Sequence, residues 1–135
     1  MWETPLLSAT ITTAVTATTT TAVTLRSDVR SIGIHCNFDY GSGGTTAKFW
    51  VQTSFDGGTT WVDIAAFAHT TSDLRRVVNL SSNTAVTTLY TATDGTLTDD
   101  TVKDGVIGGQ IRVKYTTTGT YAGTTTINIY MVAKS

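Results

Sequence analysis

The sequence predicts an all-β fold: a single domain built as an antiparallel β-sandwich, jelly-roll-like, with eight or nine strands. Three observations lead there. Threonine fills 32 of the 135 positions, and its branched Cβ suits a pleated, half-buried surface better than a helix. Charged residues are only 14% of the chain, against roughly 25% in an average soluble domain, so few are available to clothe helix exteriors. Apolar residues recur at period 2 along most of the chain, punctuated by Gly, Asn and Asp turns. A chain of this length buries roughly two-thirds of its unfolded surface and can carry its own core.

The first elements are "ATITTAVTA" and "TTAVTLR". The pentad TTAVT occurs at 12–16 and again at 20–24, a spacing too short for a solenoid unit. Two adjacent Thr-rich strands, or one long bulged strand, account for it. Residues 1–24 are thus expected to form an arm with the first strands, and 25–135 the sandwich body, one domain overall. In "VRSIGIHCNF", Ile32, Ile34, Cys36 and Phe38 share one face and His35 and Asn37 the other. "GSGG" at 41–44 turns the chain. "AKFWVQTSF" then sets Phe49, Val51 and Phe55 opposite Lys48, Trp50 and Gln52. "TWVDIAAFAH" pairs back after a "DGG" turn, followed by "DLRRVVNL", "AVTTLYTAT", "VIGGQIRVKY" and "TTTINIYMVA". The last two alternate, with Ile111, Val113 and Tyr115 against Arg112 and Lys114, and Ile127, Ile129 and Met131 against Asn128 and Tyr130. Strand series of this kind form sandwiches or barrels.

Charge narrows the function classes. A net charge of −1 supplies no field for nucleic acid or an anionic membrane, and neither is expected as a partner. One cysteine, Cys36, excludes an intrachain disulfide and reads as a small core residue. At the N-terminus, Glu3 stands where a signal peptide needs Lys or Arg, and Thr interrupts the apolar run. No window reaches membrane-spanning length. The expectation is a protein made and used without export by this route.

The most specific motif is "SFDGGTTW", which matches the Asp-box pattern at Ser54, Asp56, Gly58, Thr60 and Trp61. An Asp at the start of a tight turn accepts backbone N–H groups ahead of it, and Gly57 and Gly58 can take positive φ. Thr60 can tie the far side, and Trp61 can lie over the hairpin as an apolar lid. The pattern resembles the Asp boxes of sialidase-like propellers, which implies blade turns remote from an active site. A propeller needs several copies, and this chain has one. The motif therefore reads as a structural hairpin, with a glycan-contact surface as the alternative.

Asp94, Asp99, Asp100 and Asp104 crowd "TDGTLTDDTVKDG". Calcium wants six to eight oxygens, but the spacing is not that of an EF-hand and Lys103 interrupts it, so a solvated loop is expected, with a calcium site as the alternative, and no metal or cofactor is assigned. His35 and Cys36, as strand neighbours, point to opposite faces and cannot share a metal. His69, at a strand end, is expected at the surface. No G-x-S-x-G elbow or P-loop lysine is present, and no catalytic residues are assigned. Trp50, on the polar side of its strand, is expected either as an exposed partner contact or as a cover for the sheet's outer face.

Three stretches together resemble a family: "WVQTSFDGGTTWVDIAAFA", "RRVVNL" and "GGQIRVKYTTTGTYAGTTTINI" are similar to segments of short Thr/Gly-rich structural proteins of tailed bacteriophages. The resemblance runs from about Leu25 to the C-terminus. It implies a non-enzymatic virion component, in the favoured form a capsid decoration (cement) protein. Such a protein binds the major capsid protein or copies of itself, is assembled in the host cytoplasm and is a homo-oligomer in the particle. It carries over no functional residues. In that setting the arm, with Trp2, Leu6 and Leu7 lacking a place in an alternating strand, is expected to lie against another subunit or the shell. Two rivals stand beside it. A tail-tube or head–tail connector subunit would form closed rings, and a carbohydrate-binding adhesion module would use Trp50, Tyr40 or Tyr121 as stacking platforms.

Overall fold

The structure is a computed structural model that describes residues 2–135. Among these residues there are eleven strands and no helix. The strands are β1 (Trp2–Thr10), β2 (Val15–Thr19), β3 (Val23–Thr24), β4 (Ser31–Asp39), β5 (Ser42–Gly43) and β6 (Thr46–Ser54). They continue with β7 (Val62–His69), β8 (Leu74–Ser81), β9 (Gln110–Thr118), β10 (Tyr121–Ala122) and β11 (Thr126–Lys134). The first sheet has the order β1-β11-β4-β8; the second has the order β2-β9-β6-β7, with β3 also on β9. β10 and β5 form a small ribbon of their own. Every pairing is antiparallel. Among the longer strands, only β6 and β7 are chain neighbours within one sheet; every other connection crosses between sheets.

The two inner faces meet in one apolar core. Ile32, Ile34, Cys36 and Phe38 of β4 and Ile127, Ile129 and Met131 of β11 come from the first sheet. Phe49 and Val51 of β6 and Ile111 and Val113 of β9 come from the second. These are the residues whose period-2 spacing marks one face of each strand, and none is more than 1% exposed.

β1 corrects the expectation for the arm. It pairs with β11 over its whole length, so residues 2–10 belong to the sandwich's own sheet. Leu6 and Leu7, expected against another subunit, are both buried in the chain's own core. Two successive residues of a regular strand point to opposite faces. Here the register shifts between Pro5 and Leu7, and that bulge turns both leucines inward. Trp2 is half-buried against the same core.

"AVTTLYTAT", expected as a strand, has no regular structure; it lies in the long connection from Ser82 to Gly109. Val86 and Leu89 are exposed there. Strand propensity needs a partner ladder, and the nearest edge, β7, is taken by Thr93, the last residue of this stretch, and by later residues of the same connection. The Asp63 amide donates to Thr93 O at 2.9 Å, the Ala66 amide to Thr101 O at 2.9 Å, and the Lys103 amide to Ile64 O at 2.8 Å. The connection thereby folds across the outer face of the second sheet.

Candidate functional site

Each residue singled out in the sequence has a definite place. The Asp-box turn joins β6 to β7. The Ser54 hydroxyl donates to Asp56 Oδ1 (2.9 Å) and accepts the Gly58 amide (2.9 Å). Asp56 accepts the Thr60 amide through Oδ1 (2.8 Å) and the Thr60 hydroxyl through Oδ2 (2.6 Å). These bonds, the Thr60 hydroxyl first, hold the Asp56 carboxyl down to about 2. Gly57 and Gly58 have φ of 72° and 95°, the left-handed region that favours glycine. Trp61 donates its indole N–H to Gly58 O (3.1 Å), and the Arg112 guanidinium lies 4.2 Å from its ring centroid. All five motif residues are spent on closing the hairpin.

Trp50 is not exposed: 8% of it is accessible, and it packs with Ala66 and Leu97. Its indole N–H donates to Leu97 O (3.1 Å). The expectation of a Trp50 partner contact is corrected: the chain's own long connection covers it. Beside it, Gln52 and Asp63 have no exposed surface. Gln52 donates to Asp63 Oδ1 (2.8 Å) and Asp94 Oδ1 (2.7 Å) and accepts Arg112 Nε (2.8 Å). Asp63 also accepts the amides of Gly95, Thr96 and Leu97 and the Thr93 hydroxyl. A buried carboxylate with this many donors is fully satisfied, and it anchors the cover. No motif marks Asp63; its only hint in the sequence is a charge between Val62 and Ile64.

The four aspartates of the connection are divided among separate ties. Asp94 meets Lys114 at 3.0 Å, and Asp99 meets Lys48 at 3.1 Å. Asp100 pairs with Arg76 and accepts the Ala68 amide. Asp104 accepts the amides of Ser81 and Gly105, both at 2.8 Å. No cluster of three or more His, Cys, Asp or Glu able to hold a metal occurs among the described residues.

His69 corrects another expectation. It is buried, not exposed, because it follows Ala65 and Phe67 on the inward side of β7. Its Nε2 lies 3.5 Å from Cys36 Sγ, and its ring stacks on Phe38 at 4.7 Å. Burial pushes the Cys36 thiol up to about 12. Burial, aided by nearby Arg76, pushes His69 down to about 4. At neutral pH the pair is a thiol and a neutral imidazole, which lacks the thiolate a cysteine nucleophile requires.

The two outer faces differ. The second sheet's is covered by the long connection, whereas the first sheet's is open. On it lies a groove of about 540 Å³ lined by Gly33, His35, Val77, Asn79, Tyr130 and Val132. Val77 is 74% exposed and Tyr130 45%. The groove exists because Gly33 has no side chain: a Cβ there would meet nothing nearer than Asn79 Oδ1 and Val132 O, both at 4.0 Å. Two apolar walls around a bare strand, with His35, Asn79 and Tyr130 for orientation and Glu3 and Lys134 also in the lining, suit an apolar or aromatic protein side chain. Sequence alternation places Tyr130 on the solvent side but does not reveal that Gly33 opens a hollow beside it. Comparison with protein-family models, with curated proteins and with solved structures finds no match for this chain.

Proposed function

We propose that the chain is a bacteriophage virion structural protein, a capsid decoration protein that docks on the major capsid lattice through the open face of its first sheet. The observation that carries this reading is the asymmetry of the two outer faces. One is covered across β6, β7 and β9 by the connection from Ser82 to Gly109, and the other presents Val77 and Tyr130 beside an apolar groove. Burying one such side chain fully contributes roughly 1.5–3 kcal/mol, so a few suffice for a lattice contact repeated many times. With the two-residue strands set aside, the order reads first-eighth-third-sixth and second-seventh-fourth-fifth. We take this as a jelly roll, an architecture used by viral capsid and lectin domains. The resemblance of three segments to phage structural proteins points the same way.

Two of the three platforms of the carbohydrate-binding rival, Trp50 and Tyr121, are buried; Tyr40 is half-buried and donates its hydroxyl to Gly43 O. The test is to count this protein per major capsid protein in purified virions by quantitative mass spectrometry. A fixed ratio amounting to dozens or hundreds of copies is the expected result. A count of six or twelve assigns it to a connector or tail, and absence from the particle ends the virion reading.

A further inference from the structure

A sandwich has open strand edges, and each unprotected edge is a template for another strand. Four of the longer strands are edges here: β1 and β8 in the first sheet, β2 and β7 in the second. Three of them carry an identifiable block. β1 contains Pro5 and a bulge. β2 has a register shift between Val15 and Thr18, with Ala17 at a φ of 49°. β7 is roofed by its hydrogen bonds with Thr93, Thr101 and Lys103. β8 alone is regular, eight residues long and without a register shift against β4.

The backbone groups of β8 sort by parity. Ser82 donates to Arg30 O on the side facing β4, and antiparallel alternation makes Leu80, Val78, Arg76 and Leu74 face β4 as well. The remaining set, Arg75, Val77, Asn79 and Ser81, directs its N–H and C=O groups outward. Ser81 is already used: its amide donates to Asp104 (2.8 Å) and its carbonyl accepts the Thr84 amide (3.3 Å). Among the described residues, no other group bonds the outward N–H and C=O of Arg75, Val77 and Asn79. Three free rungs are left, symmetric about Val77.

We infer that β8 is a self-association edge, pairing antiparallel with β8 of a second copy about a two-fold axis through Val77. The set is self-complementary. In this register Val77 faces its own copy, and Arg75 faces Asn79 at both ends, so no like charges are opposed. All three rungs form, giving six inter-chain hydrogen bonds, because each directly opposed pair exchanges two. Any other register leaves a rung unpaired. The axis places Val77, the most exposed residue of the strand's apolar set at 74%, beside its twin, each covering one flank of the other while the outer face of the sheet stays open. An isologous contact of this kind closes on itself as a dimer and joins two first sheets into one of eight strands. This inference concerns the strand edge and does not rest on the capsid reading.

The experiment is sedimentation equilibrium on the full chain, with Val77→Lys and Val77→Cys beside it. Wild type is expected to dimerise reversibly. Val77→Lys, at a solvent-facing position, is expected to keep the far-ultraviolet spectrum and weaken the dimer by about tenfold or more, through lost apolar contact and like charge on the axis. Opposed hydrogen-bonded residues have Cα atoms about 5.5 Å apart, inside the disulfide range. Val77→Cys is therefore expected to cross-link to a covalent dimer with oxidised glutathione, far faster than Leu89→Cys, whose site is fully exposed on the long connection. The native Cys36 is buried and does not compete. Wild type that stays monomeric at millimolar concentration overturns the inference. So does a dimer indifferent to Val77→Lys, or cross-linking of Val77→Cys no faster than that of Leu89→Cys.

Discussion

The Gln52 carboxamide and the Asp63 carboxylate, neither with any exposed surface, meet at 2.8 Å on the outer side of the second sheet. Around them the long connection is organised, since the amides of residues 95–97 all donate to Asp63. Asp63→Ala is expected to strip these donors of their acceptor and destabilise the protein by about 3–5 kcal/mol. Urea unfolding measures the loss. Native-state hydrogen exchange should show amides 95–97 losing protection while those of β4 and β11 exchange only with global unfolding. Unchanged exchange at 95–97 would contradict the anchoring role.

Gly33 makes the opposite kind of prediction. A glycine inside a strand is destabilising by roughly 0.5–1 kcal/mol, and here a Cβ has room. Gly33→Val is expected to raise stability by about that amount while filling the groove. On the decoration reading, co-sedimentation with undecorated capsids should fall by about tenfold or more. Binding equal to wild type would place the lattice contact elsewhere.

His69 couples stability to pH. Its folded pKa is lowered to about 4, against about 6.5 when unfolded. Between those values the unfolded chain holds the extra proton, so stability rises with pH across that window and is flat above it. Acidifying from pH 7.5 to 4.5 is expected to cost about 2 kcal/mol through this group, with allowance for solvent screening. Other carboxylates add their own dependence, so the measurement is a difference: wild type minus His69→Phe, by urea unfolding at both pH values. Equal slopes for the two proteins would exclude His69 as the source.

Asp56 acts lower on the pH scale and in the same sense. Its folded pKa is depressed to about 2 from 3.8, so its contribution is present above the unfolded value and is lost as pH falls through the folded one. The Thr60 amide, which donates to Asp56, should lose exchange protection as pH drops from about 4 towards 2. Protection that is constant over that range would show the turn to be held by its glycines alone.

Thr124 carries backbone strain. Its φ is 60°, a genuine outlier for a β-branched residue, in the exposed turn between β10 and β11. Thr124→Gly is expected to stabilise the protein by about 1 kcal/mol, as a higher midpoint of thermal unfolding. A lower midpoint would mean that the side chain makes up for the strain.

Strands with one buried face are readable from alternation, as β4 and β11 show, because their partners leave the other face to solvent; β9 alternates as well, although its outward Arg112 and Lys114 are tied to Asp94 of the connection. β6 is misread on one side. Trp50 and Gln52 occupy its outward positions, as expected, but the residues that bury them lie some 40 positions further on, in a segment without periodicity of its own. Leu6 and Leu7 fail for a different reason, since a bulge breaks the period that would place them. The Asp-box turn is readable because the hydrogen bonds that close it span no more than four residues. The groove is not, since it arises from three strands far apart in sequence and from the side chain that Gly33 lacks.

The pairing of β1 with β11 sets an order of events at the ribosome. Trp2 lies opposite Ala133, and Thr10 opposite Thr126, so β1, synthesised long before β11, waits for it before it has a neighbour. Closing a loop of more than a hundred residues adds only a slowly growing entropic cost to stability, but non-local pairing slows folding. During that wait Leu6, Leu7 and the inward face of β11's site are bare, and the nascent chain is at its most vulnerable to association with its neighbours on the same message.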